Sequence, residues 1–533
     1  MHKLSKYQDL VQNTEYRDFI LFALTRILFS QEIYKILTIQ TSIPSSSSFI
    51  APLSQNHACD PFSPRETPCT LGNLPTYAIN ATNYLHVSLA IKFAKARNIR
   101  IIIKSTGHDL LGKSSGAHSL SIWLHNFKNI GFTKQYNGPN KYNNYHGPAA
   151  IIEPGLLSYE IYEKAKKAGY RVIGGTCNTV AVGGGYTQGG GHSLLSGKHG
   201  LSADNVLEWR VVTSSGDLVT ATPDQNSDLY WALAGGGPGV WGVVISMTVK
   251  VYPEDGMISG AGVTFSLVSA PNEDTFWKGV EVFHKFLPAW LDQGFAAPYV
   301  LALGMFSLQP LTLPGKNSNE TRSVIAPFLS ALDGLKIPYD VQIQSFSSYL
   351  DLFAQYYGPM PYGIYTHTQV STSRLIPRST VQNRTAELIS TYRKIWSFPG
   401  GPFWILGNGI HVPAKPSAAA ENAVHPAWRE ADIQQIVLSQ WMWNGTWEEN
   451  VRDEEVIEGR VIPMLEGLSQ GSGTYMNEGN IGQQNWQREF YGGNWGRLQG
   501  VKRKWDPEGV FYAKTGVGSE EWVEDGEGRL CKI

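Results

Sequence analysis

Residues 172–206 read VIGGTCNTVAVGGGYTQGGGHSLLSGKHGLSADNV, and eight glycines fall between Gly174 and Gly191. Glycine at this density lets backbone amides approach a ligand closely and adopt φ above zero. Successive N–H groups in such a run form anion-binding concavities, for which a diphosphate is the natural occupant. Strongly apolar segments flank the run, which sets it apart from a flexible low-complexity linker. A G-x-G-x-x-G dinucleotide fingerprint needs one tight turn between strand and helix, with an acidic residue about 20 positions on. This run is longer than one turn and holds a Cys, a Tyr and a Gln, so that pattern fits it poorly.

A second loop invites comparison. IRIIIK (99–104) reads as a buried strand, and KSTGHDLLGKSSG (104–116) follows it with one histidine between a glycine and an aspartate. Upstream, residues 83–98 place Val87, Ala90, Ile91 and Ala94 on one helical face. AAIIEPG (149–155) reads as a strand, SYEIYEKAKKAGY as a helix with Ser158 as its N-cap, and RVIGG as a further strand. NVLEWRVVTSSGDLVTATP reads as two strands joined by a Ser-Gly turn. SDLYWALAGGG is a short capped helix, and GVVISMTVKVYP a strand that stops at Pro253. Residues 71–253 therefore form a mixed α+β unit. Beyond it the glycine motifs vanish and aromatic-rich helices alternate with strands to about residue 465, so a second domain is expected.

Charge excludes some classes of partner. Lys+Arg is 44 and Asp+Glu 45, a net charge of −1, which gives no electrostatic reason to bind nucleic acid or an anionic membrane. The four cysteines form no CxxC pair, and no metal site is expected. Cys59 and Cys69 bracket a short Pro-containing loop whose spacing suits a local disulfide. Sequons at Asn80, Asn319, Asn383 and Asn444 hint at the secretory route. FILFALTRILF is interrupted by Arg26, is no clean signal peptide and is too short to span a bilayer. Residues 1–50 are read as a poorly specified segment.

Taken together, the two loops resemble those of the FAD-linked oxidoreductases of the vanillyl-alcohol-oxidase (PCMH-type) superfamily, in the berberine-bridge-enzyme-like branch. KSTGHDLLGKS is similar to that branch's flavin-attachment loop, and GGTCNTVAVGGG…GGGHSLLSGKHGLSADNV to its second flavin loop. DLYWALAGGGPGVWGVVISMTVKVYP resembles the end of its flavin domain, and NWGRLQGVKRKWDPEGVF its C-terminal return segment. The resemblance runs from about residue 50 to the end. CDPFSPRETPCTLGN and the terminal GRLC are similar to the fungal isoamyl-alcohol-oxidase-like group, which includes the chanoclavine synthases of ergot alkaloid pathways. Relatives there carry a further upstream cysteine, so Cys531 is expected to lack its usual partner.

The resemblance implies a two-domain α+β fold. An FAD-binding domain occupies 51–253 (core from about 71), a substrate domain of antiparallel sheet covered by helices occupies 254–465, and 466–533 return to the first. It implies covalent FAD, attached through His108 to the 8α-methyl carbon and through Cys177 to C6. Backbone amides around Cys177 are expected to lower its pKa, because the thiolate is the nucleophile. Asp109 is expected to hold the His108 tautomer. Lys104, Ser105, Thr106, Gly107 and Asp109 would cradle the diphosphate, with Gly183, Gly184, Gly185, Gly189, Gly190 and Gly191 against the cofactor. Val180 would leave room for O2, favouring an oxidase over a dehydrogenase. His192, Tyr475 and Glu478 are the candidates for the base that removes an O–H or N–H proton as hydride leaves carbon. His118, His125 and His199 are read as structural.

The implied activity is oxidation of an alcohol, amine or alkaloid-type small molecule, with O2 reduced to H2O2, in fungal secondary metabolism. A dehydrogenase with another acceptor, or a carbohydrate oxidase, are the alternatives. Trp277, Phe283, Trp290, Trp441 and Trp443 could stack on a sugar or an indole, although most are expected in the core. Passage through the secretory pathway is implied by the resemblance, with an intracellular location as the alternative.

Overall fold

The computed structural model describes residues 50–60, 62–138, 145–361, 369–398, 403–413 and 421–533. Its first layer is a small parallel sheet of β1 (Tyr77–Asn80), β2 (Ile101–Lys104) and β3 (Leu120–Trp123), with β3 in the middle. Helix α1 (Tyr84–Ala96) connects β1 to β2. Asn83 caps it by accepting from His86 N, and Val87, Ala90, Ile91 and Ala94 are buried, the face that the sequence spacing predicts.

Five antiparallel strands make the second sheet: β4 (Ile130–Thr133), β5 (Ala149–Ile152), β6 (Val206–Val212), β7 (Leu218–Ala221) and β8 (Val243–Lys250), in the order β4-β5-β8-β6-β7. Central β8 is buried along its whole length, which explains its unbroken apolar texture. Helix α2 (Ser158–Ala168) begins one residue earlier than expected. Leu157 holds the N-cap position, and Ser158, already helical, donates its hydroxyl to Val180 O. The expected RVIGG strand is only a two-residue pairing, Tyr170–Arg171 with Tyr252–Pro253; the rest enters the glycine loop.

The third sheet has seven antiparallel strands: β9 (Ile258–Ser266), β10 (Ala297–Ala302), β11 (Met305–Pro314), β12 (Tyr339–Phe346), β13 (Gln369–Pro377), β14 (Trp404–Gly409) and β15 (Ala431–Gln440), in the order β12-β9-β11-β10-β14-β15-β13. Helices α3 (Glu273–Leu291), α4 (Ser318–Gly334) and α5 (Thr385–Trp396) contribute to its core. Strand side chains alternate between faces, and the alternation divides this sheet sharply. Tyr299, Leu301, Phe306, Leu308, Ile405, Ile433 and Val437 enter the core with Phe283 and Phe328 of the helices. Val300, Ser307, Trp404, Leu406, Ile436 and Leu438, one step out of phase, line a cavity.

The chain's last segment closes back on the first sheet. Phe511 bridges to Ile101 of β2, and Lys502 of α6 (Trp495–Trp505) donates to Val240 O and Phe511 O at 2.9 and 2.8 Å. No helix among the described residues is long and apolar enough to cross a membrane.

Candidate functional site

A cavity of about 520 Å³ lies between loops 105–114, 176–188, 238–244 and 475–478 on one side and the outer face of the seven-stranded sheet on the other. The loop after β2 turns at Gly107, whose φ of +86° suits glycine and strains other residues. That turn presents His108 to the cavity. Cys177 arrives from the second glycine loop, and its Sγ lies 3.9 Å from His108 Nε2. Thr179 Oγ1 is 2.6 Å from the same nitrogen. Two candidates 69 positions apart in the chain thus share one patch of wall.

Their electrostatics revise two expectations. Burial pushes His108 down to about 3, so its imidazole is neutral at any ordinary pH. Burial also pushes the Cys177 thiol up to about 12, outweighing the hydrogen bonds from Thr179 that act the other way. Burial therefore favours the thiol over the expected amide-stabilised thiolate. Nor is Asp109 the orienting partner of His108. Its carboxylate accepts from Leu111 N and Ser114 N at 3.1 and 2.7 Å and braces the loop, while Thr179 meets the ring.

The proposed cradle divides in two. Ser105, Thr106, Gly107, Asp109, Val180, Gly184 and Gly185 line the cavity. A Cβ on Gly184 would come within 2.8 Å of Ser105 Oγ, so the two loops meet at van der Waals contact there. Lys104 does not line the cavity. It is the last residue of β2, and strand alternation turns it away from the side that Ile103 and Ser105 face. There it is buried within electrostatic reach of His125. Gly183 packs on Glu153 and Pro154, and the triplet Gly189–Gly191 packs beneath Asn477, Tyr475 and Tyr186. A Cβ on Gly189 would fall 2.1 Å from Asn477 Oδ1. Gly189 and Gly190 thus pack against the C-terminal segment and Gly191 against Tyr186 and Ser202, and none of the three is among the residues that line the cavity.

Sequence reasoning passed over Lys113 and Gln188, which also line the cavity. Lys113 was visible as the lysine that follows the second glycine of KSTGHDLLGK; no comparable signal marked Gln188.

All three candidate bases come together. His192 Nε2 is 3.2 Å from Glu478 Oε1, and Gln434 donates to Glu478 Oε2 at 2.7 Å. Asn408 in turn donates to Gln434 Oε1 at 2.7 Å, which fixes the direction of the Gln434 amide. Tyr475 sits edge-on to His192 and Trp428, and its hydroxyl accepts from Asn477 at 2.8 Å. Burial, with Glu478 close by, raises the Tyr475 phenol above its ordinary range, so it stays protonated. Glu478 is the candidate with a partly exposed carboxylate, 27% accessible.

Facing these loops, the sheet presents Val300, Met305, Trp404, Leu406, Ile436 and Leu438, interspersed with Ser307, Gln309, Asn408, Gln369 and Gln440. Among the described residues the sheet wall carries no charged side chain. The aromatics weighed for stacking lie elsewhere. Trp277, Phe283 and Trp290 are in the core. Trp441 and Trp443 sit on a turn where Trp443 stacks on Phe62, beside the Cys59–Cys69 disulfide. His118 lies 3.1 Å from Glu527 O, His125 stacks on Trp123 and His199 on Tyr252, each a packing arrangement. No group of three potential metal ligands occurs among the described residues.

Comparison with known proteins agrees with this geometry. Residues 75–222 match the family described as FAD binding domain, and residues 474–518 the family described as berberine and berberine like. The VAO-type flavoprotein oxidase VAO615 of Thermothelomyces thermophilus is 42% identical over 482 residues, covering 90% of this chain and 82% of that protein. The crystal structure of the VAO-type flavoprotein MtVAO615 from Myceliophthora thermophila C1 superposes with a TM-score of 0.88 at 40% identity, covering 94% of this chain and 90% of that one. Glucooligosaccharide oxidase from Acremonium strictum, described with a 6-S-cysteinyl, 8α-N1-histidyl FAD, shares the fold at a TM-score of 0.66 and 19% identity, over 84% of this chain and 92% of that one.

Proposed function

Since the chain belongs to the VAO-type, FAD-linked oxidoreductases with a berberine-like C-terminal segment, we propose that it is a covalent-FAD oxidase of an alcohol, amine or alkaloid-type small molecule, returning the electrons to O2 as H2O2. The observation that carries the covalent reading is the 3.9 Å approach of Cys177 Sγ to His108 Nε2 on the cavity wall. The donor set fits FAD: a neutral imidazole and a thiol sit side by side, and the Ser105–Gly184 contact forms a narrow floor of small residues. When bound, FAD supplies the two-electron acceptor that no side chain provides.

The chain's own residues then divide the remaining work. Glu478 accepts the substrate's O–H or N–H proton, with its carboxylate held between His192 and Gln434. Tyr475, held protonated, shapes the floor beneath His192. Val180 leaves open space beside Cys177, where a bulkier side chain would obstruct O2. The uncharged sheet wall disfavours an anionic molecule, since an unpaired carboxylate buried there would be costly. Its amides and hydroxyl also suit a polyhydroxylated substrate, so a carbohydrate oxidase is the second reading.

Acid precipitation of the purified protein tests the attachment. Yellow colour that stays with the pellet, with flavin mass on peptides holding His108 and Cys177, is the expected result. Colour in the supernatant would remove the covalent claim. Substrate-dependent oxygen uptake with H2O2 release separates the oxidase from a dehydrogenase.

A further inference from the structure

The register of the seven-stranded sheet sorts its cavity face into rows, because residues paired across neighbouring strands point to the same side. One row meets Glu478. Pro298 of β10, Asn408 of β14 and Gln434 of β15 are paired in it, and Gln309, two residues beyond Ser307 on β11, extends it. Its amides hold the Glu478 carboxylate: Asn408 donates to Gln434 and Gln434 to Glu478, each at 2.7 Å. The next row is Ser307, Val300, Leu406 and Ile436. The third holds Met305 paired with Ala302, and Trp404 paired with Leu438. The fourth pairs Gln440 of β15 with Gln369 of β13. Successive rows are two residues apart on each strand, about 6.6 Å, so the first and the fourth lie about 20 Å apart.

The wall's hydrogen-bonding side chains are therefore not spread evenly. They stand at its two ends, and the two rows between are apolar except for Ser307. His108 and Cys177 belong to the opposite, loop wall, which leaves the sheet face to the substrate. A polyhydroxylated molecule carries hydroxyls along its whole length. Those laid against Val300, Leu406, Trp404 and Leu438 would lose water without gaining a partner. We infer that the substrate is an elongated alcohol or amine with an apolar body that lies along the strands. Its reacting group meets Glu478, its body covers the two apolar rows, and a hydrogen-bonding group at its far end meets Gln369 and Gln440. This rests on the reading of Glu478 as proton acceptor in an oxidase, and it sets the lipophilic form of that reading above the carbohydrate form.

The full-length holoenzyme is titrated by calorimetry with butanol, hexanol, octanol and decanol, and with cellotriose as an elongated polyhydroxylated probe. Affinity is expected to rise about threefold to fourfold with each added methylene, the worth of one buried CH2. Cellotriose should bind more weakly than octanol. A flat series, or cellotriose tighter than octanol, would overturn the inference. Variants then read the rows one by one. Leu438→Ala should weaken decanol at least about fivefold and leave butanol within about twofold, because only the longer chain reaches the third row. Equal losses for the two alcohols would refute the ordering. Gln440→Leu should weaken dodecanediol about threefold or more and spare decanol, which has no second hydroxyl to leave unpaired; an equal response would remove the far row from the site. Oxygen uptake, one O2 consumed and one H2O2 formed for each alcohol taken to its carbonyl, is followed with the same probes. Ordered binding without uptake would refute the oxidase reading while supporting the assignment of the wall. Uptake with cellotriose alone would do the reverse.

Discussion

The two walls of the cavity are built on opposite plans. The loop wall concentrates its chemistry in two short stretches, 105–114 and 176–188, with small residues, one imidazole, one thiol and one lysine. The sheet wall draws scattered residues from strands β10, β11, β13, β14 and β15, spread over about 140 positions and selected by the pleat. One wall is set by backbone conformation, the other by side-chain size. Substitutions should therefore act on cofactor retention on one side and on substrate choice on the other, with little crossover.

The largest expected effect breaks the loop wall. Combining His108→Ala with Cys177→Ser should move all acid-released colour from pellet to supernatant, while either single variant leaves the flavin attached. Next comes Glu478, the proposed proton acceptor between the walls. Glu478→Gln should lower substrate-driven oxygen uptake by about 10²- to 10⁴-fold, with an unchanged ratio of flavin to protein absorbance.

The seam that joins the walls gives a smaller and pH-dependent effect. Asn480, just beyond the Tyr475–Glu478 segment, donates to Ser371 O of β13 and to Glu454 at 3.0 and 2.9 Å. Burial, with Glu458 adding repulsion, raises the Glu454 carboxyl to about 8 from 4.5. The folded state thus holds a proton that the unfolded chain releases. That contribution is fully present below about 4.5 and is lost as pH rises from there through about 8. Glu454→Gln should leave the melting temperature unchanged at pH 4 and raise stability at pH 9 by about 1–3 kcal/mol, read by thermal unfolding. The smallest effect sharpens the contrast. Leu406→Ala should raise KM for the native substrate by roughly 10-fold, the worth of a lost apolar contact, and leave acid-stable flavin untouched.

The same contrast explains what the sequence could disclose. His108 and Cys177 were legible because each sits in a contiguous motif whose glycines have few other uses. Lys104 belonged to the same motif and was misplaced, because the strand's alternation, not the motif, decides which way a side chain points. The motif could not show that Gly189, Gly190 and Gly191 stand back from the cavity lining, because glycine also permits close packing, and the neighbour of Gly189 is Asn477. Cys177's protonation needed its burial, which no local pattern reports. On the sheet wall nothing local marks Leu406 or Gln440. The conspicuous aromatics Trp277 and Phe283 drew attention instead, and they face the opposite way, into the helix-covered core.

Asn477 donates to Gly185 O and Tyr186 O, across 292 and 291 positions of sequence. Synthesis runs from the N-terminus, and both glycine loops leave the ribosome long before residue 477 is made. Until then the cavity lacks Tyr475 and Glu478, and Gly189 has no neighbour to pack against. Capture of the cofactor in its final pose therefore belongs to the finished chain. A nascent fragment that ends before residue 475 would contain both His108 and Cys177 yet lack the segment that seals the pocket around them.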